Sequence, residues 1–197
     1  MNFKRWLIVA LLVFGAWQWW SGRSIEHTPG ELVADEPQQT SISGSPPQFE
    51  KNGYTITALA NFELNARVLG VEHYRFDREA ELAPVDLALG WGPMSDSAVL
   101  SKVSISQGGR FYYWHVDEFP VPRRVIETHS ANMHLIPADA DVARKFDDVH
   151  IGSIVSLTGY LVEARASDGW HWRSSLTRDD TGAGACELIW VQRFEAR

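Results

Sequence analysis

The chain has 197 residues, with 18 Lys plus Arg against 25 Asp plus Glu, and a formal net charge of −7. That length suits one ordinary domain with appendages, and 45% hydrophobic residues are enough to build a core. The acidic balance excludes a generic duplex-binding protein, and the lone Cys186 excludes a disulfide framework and a Cys-pair zinc site.

The N-terminus opens with Lys4 and Arg5, followed by the apolar run WLIVALLVFGAWQWW from Trp6 to Trp20. Two cations before an apolar stretch are the layout of a signal peptide or signal anchor. At about 1.5 Å per residue the run spans roughly 22 Å, and Phe3, Ser21 and Gly22 bring it nearer the ~30 Å of a hydrocarbon core. Trp17, Trp19 and Trp20 cluster at one end, where rings favour the lipid–water interface. Gly22-Arg23-Ser24 is the best cleavage candidate and a poor one. The reading is therefore a cytoplasmic stretch over 1–5 and an uncleaved single-pass anchor over 6–22. It places the chain in a bacterial inner membrane, with its C-terminal domain in the periplasm or outside.

Residues 23–50 are rich in Gly, Ser, Thr, Pro, Gln and acids, and DEPQQTSISGSPPQFE holds three prolines without a hydrophobic period. Such a stretch predicts a flexible linker. A single β-rich domain is expected over 51–197. Strands are predicted at 54–60, 64–74 (with a bulge at Gly70), 86–91, 154–164, 170–177 and 186–194, and a hairpin about Gln107-Gly108-Gly109. Short helices are predicted from Pro122 to His129 and over 138–146, and Ser95 either caps a short helix through Ser101 or opens a loop. The fold class is mainly β, a small antiparallel barrel or curled sheet. GSIVSLTGYLV and the later DDTG give its C-terminal end an OB-like pattern.

Two polar segments are candidates for chemistry. One is HSANMHLIPA from His129 to Ala138, and the other is TRDDTGAGACE from Thr177 to Glu187. Together with the GYLV strand, these segments resemble a group of bacterial membrane-anchored envelope proteins with no assigned activity, over most of residues 85–194. The resemblance implies architecture and envelope location only.

His129, Asn132, His134 and Arg178 are the expected ligand-contacting residues, with the histidines and Asn132 as hydrogen-bonding groups and Arg178 pairing an anion. The competing enzyme reading is a hydrolase. It takes His129 or His134 as general base and Asp179 or Asp180 to orient it. The two histidines are five apart, which separates them on a strand or a helix alike, so no metal site is expected. Adjacent Asp179 and Asp180 suit an Asx-type turn. Cys186 reads as a small buried hydrophobe, and the tryptophans as packing residues. No cofactor and no nucleic acid are expected. The expected partners are the membrane, through the N-terminal helix, and an envelope protein. The most economical function is a tethered binding or assembly module, with a purely structural domain as a third reading. The sequence carries no signal for oligomeric state.

Overall fold

The computed structural model describes Trp6, residues 23–177 and residues 186–197. The expected n-region, nearly all of the anchor, and Arg178, Asp179 and Asp180 lie outside the described residues. Among the described residues no helix is long and apolar enough to cross a membrane.

The molecule is mainly β, built on a curled sheet. Its strands are β1 (Gln38–Thr40), β2 (Gln48–Lys51), β3 (Tyr54–His73), β4 (Val85–Gly90), β7 (Ser130–Pro137), β8 (Ile154–Ala166), β9 (His171–Arg173) and β10 (Glu187–Ala196). A separate hairpin pairs β5 (Ser104–Gly108) with β6 (Phe111–His115). Pairing runs β3-β4-β7-β10-β8, and β8 pairs back onto β3, so five strands close on themselves. Closure removes the exposed edges that an open sheet would present. One pair, β7 with β10, is parallel, so the sheet is not wholly antiparallel as expected. Among the described residues of the domain, short α-helices lie outside it: α1 (Ser97–Leu100), α2 (Arg123–Thr128) and α3 (Ala140–Asp147).

The two strands predicted at 54–60 and 64–74 are one 20-residue strand, β3. It bends at two register shifts, between Ala58 and Ala60 and between Val68 and Gly70. Such irregularities let a long strand coil around the sheet and pair on both sides. Past the first shift, Ala60, Phe62, Leu64, Ala66 and Val68 point inward with Leu87, Leu89, Met133, Leu135, Leu157, Ile189 and Phe194. A second apolar cluster lies outside the β7–β10–β8 wall, around Ile136, Val162, Leu188 and Trp190. A third lies outside β4, around Ala88, Met94, Val103 and Ile126.

Residues 23–50 correct the linker expectation, because they are strapped to the domain. The Ile25 amide donates to the Ile151 carbonyl at 2.7 Å, and His27 Nε2 lies 2.8 Å from the Gly152 carbonyl. Buried Ser95 accepts from the amides of Leu32 and Val33 at 3.0 and 3.1 Å. Val33 enters the interior cluster, and β1 and β2 pair with β3. Backbone amides and the His27 side chain make these ties, to partners about 60 to 125 residues distant. Hydrophobic periodicity registers no such bonds, which is why composition alone predicted a linker.

Candidate functional site

β7 is the SANMHLIP part of that segment, Ser130–Pro137, and it is a central strand of the sheet. Alternation sends Met133 and Leu135 into the interior and turns Asn132 and His134 outward. Outward here is still buried, with Asn132 2% and His134 3% exposed. The neighbouring strand β4 places Asp86 directly opposite His134, and that carboxylate is fully buried.

The lid over these groups is the β5–β6 hairpin. Its two-residue turn, Gly109-Arg110, has φ of +59° and +70°, the sign that a type I′ turn requires at both positions. Arginine in this left-handed region is uncommon and strained. The side chain of Arg110 offsets the strain. Its Nη1 donates to Asp86 Oδ1 and to the Ala83 carbonyl, both at 2.9 Å, and its Nη2 donates to Asp77 Oδ1 at 2.7 Å. The guanidinium stacks on Tyr74 with 3.7 Å to the ring centroid. Asn132 is held from both sides, donating to the Arg110 carbonyl at 3.1 Å and accepting from Gln107 Nε2 at 2.8 Å. Gly70 makes room for this, since a Cβ there would collide with Gln107.

His134 Nδ1 lies 2.9 Å from Asp86 Oδ1. The contact is at ion-pair distance but is not aligned along the ring N–H. The imidazole packs against Trp172 with centroids 4.8 Å apart. The Sγ of Cys186 reaches the same cluster, 4.0 Å from the Arg110 carbonyl. Burial works against the Asp77 carboxylate, yet Arg110 and the Ala80 amide together hold it below the usual carboxylate range. Burial pushes the Tyr74 phenol up.

Of the sequence-predicted residues, Asn132 and His134 come together, joined by Asp86, Arg110 and Gln107, which sequence reasoning missed. His129 stands apart. Its Nδ1 is 3.0 Å from the Val125 carbonyl and from Thr128 Oγ1, so it closes the end of α2, and its ring packs on Gly92. No described contact joins the two histidines. Among the described residues no three His, Cys, Asp or Glu side chains gather as a metal site. Arg173 is paired with Glu163 on the neighbouring strand. Trp170 and Trp172 meet edge-on at 6.4 Å, in keeping with their reading as packing residues.

The arrangement gathers charge around a carboxylate that is closed off from water. A fully buried carboxylate faces a guanidinium and an imidazole, and the neighbouring amides are mutually bonded. Such a cluster fixes which surfaces pack together. A general base needs access to its substrate, and His134 is buried against Asp86 and Trp172. Comparison with protein-family models, curated proteins and solved structures finds no match to this chain.

Proposed function

We propose that the chain is a membrane-tethered binding or assembly module of the bacterial envelope, and that it recognises its partner through the outer face of the β5–β6 hairpin. The polar motif is used inside the molecule, while large rings are left outside it. Phe111 is 39% and Tyr113 58% exposed on one face of β6, and Phe76 is 98% exposed beside Asp77, which Arg110 ties to the hairpin. Exposed aromatic surface of this kind marks a protein contact more often than a structural need. This is the observation that carries the reading.

The tether rests on Lys4, Arg5 and the apolar run after them. The fold is OB-like in this reading: five strands close in the order β3-β4-β7-β10-β8, with α3 between β7 and β8. Burial of His134 against Asp86 disfavours the form of the hydrolase alternative in which His134 is the base, while Asp179 and Asp180 lie outside the described residues.

The test is a photo-crosslinking amino acid at Phe76 or Tyr113 in growing cells. One discrete adduct is expected from each position, and the Phe76 adduct should be lost in Phe111→Ser/Tyr113→Ser while thermal unfolding is unchanged. The absence of adducts from both positions in intact membranes would refute recognition by this face. Catalysis abolished by His134→Ala in a normally folded protein would establish the hydrolase instead.

A further inference from the structure

The strap fixes more than the path of residues 23–33. It fixes where the domain is attached. Ile25 is bonded to Ile151, and Gly152 has φ of +92° and receives the strap so closely that a Cβ would collide with the Ile25 carbonyl. Only residues 21–24 separate Trp20 from that point. Five fully extended steps reach at most about 18 Å. At the other end of β8 lies the Ala166–Trp170 turn. The twelve steps from Ile154 to Ala166 span roughly 40 Å along the strand.

We infer that the Ile25–Gly152 end of the domain rests on the phospholipid surface and holds the Ser167–Trp172 end away from it. The inference rests on reading residues 6–22 as a membrane anchor. The occupant of this end is the bilayer itself, because the apolar run of the chain stops within a few residues of it. The side chains there suit a lipid boundary: Ile151 is 49% and Ile25 36% exposed. They form a lip of a groove of about 380 Å³ whose wall includes Leu69, Val103 and Ile105. The charged residues lining the groove are Glu26 and Arg67, and the strap adds Arg23 and Glu31. This end therefore has no excess of positive charge, and its contact is apolar and independent of anionic lipid. Two isoleucines form a weak contact by themselves. Tethering makes it intramolecular, so weak complementarity suffices.

The test uses the full chain in phosphatidylcholine vesicles, in a Cys186→Ser background. An environment-sensitive fluorophore is attached at Ile151→Cys or, as a second reporter, Ile25→Cys. Ser167→Cys, in an exposed turn, is the distal reference. Lipids carrying a quencher near the headgroup should quench the Ile151 and Ile25 probes severalfold more than the Ser167 probe. Equal quenching at all three positions, in chain that stays with the vesicles after alkaline washing, overturns the orientation alone. Chain that washes off overturns the anchor reading and the orientation with it. A requirement for anionic lipid before quenching appears would overturn the apolar contact.

Discussion

Replacing Arg110 by Met removes the cation from a fully buried carboxylate. The side chain is 13% exposed, and Asp86 is 0% exposed at 2.9 Å from Nη1. Breaking one partner of a buried pair costs about 3–5 kcal/mol. His134 and Asn132 still contact Asp86, and the guanidinium keeps some water, so the expected loss falls at or just below the bottom of that range, about 2–3 kcal/mol. At ~2–4 °C per kcal/mol for a domain of this size, the melting temperature should fall by about 4–12 °C. Arg110→Gly removes the same contacts but relieves the +70° φ, so it should be milder than Arg110→Met by about 1 kcal/mol. Asp86→Leu combined with Arg110→Met should cost less than the two single changes added together, by about 1–3 kcal/mol. Thermal unfolding of the full chain in mild detergent, followed by tryptophan fluorescence, reads all of these. Limited proteolysis reports whether residues 104–115 are released first. Single variants within about 0.5 kcal/mol of the parent, or a strictly additive double variant, would refute the claim that this cluster latches the hairpin.

Three further outcomes are expected. Ser95→Ala strands the amides of Leu32 and Val33, at about 1–3 kcal/mol, and protease should then cut within residues 28–34 before the rest of the domain. Asp96 accepts from the amides of Gly30 and Ala98, and these bonds hold its carboxyl below the ordinary value of 3.8. Its contribution is therefore complete above that value and lost as pH falls through the lower folded one. Amide exchange at Gly30 should accelerate on acidification there, and Asp96→Asn should abolish the dependence; an unchanged profile in that variant would count against the clasp. Gly159→Ala drives a Cβ into the Trp190 carbonyl where β8 pairs with β10, so a loss of at least about 3 kcal/mol or failure to fold is expected, and normal melting would contradict the register.

The parts of the fold that sequence made legible are those carried by local pattern. Alternation placed β4, β8 and β10 within a residue or two. Gly70 marked a real register shift, and the dipole-matched charges of residues 138–146 marked α3. The hairpin lies where it is expected, but its link is the two residues Gly109-Arg110 rather than Gln107-Gly108-Gly109, because Arg110 occupies a position where glycine or asparagine is usual. What was missed depends on long-range partners. Asp86 lies in a strand otherwise made of apolar residues, and nothing local marks it as the partner of His134, 48 residues on. The strap is invisible for the same reason, because Ser95 and Gly152 are ordinary turn residues until the chain returns to them. HSANMHLIPA drew notice for its polarity, which proved to be the polarity of a buried network.

The central claim is that a folded module is held at the bilayer by the apolar run after Lys4 and Arg5. Its most direct test is alkaline extraction of membranes from bacteria making the full chain or a chain lacking residues 1–22. The account predicts that the full chain stays in the membrane pellet at its uncleaved mass, while the shortened chain is released as folded protein. A full chain released to the supernatant, or a shortened chain retained equally well, would contradict it.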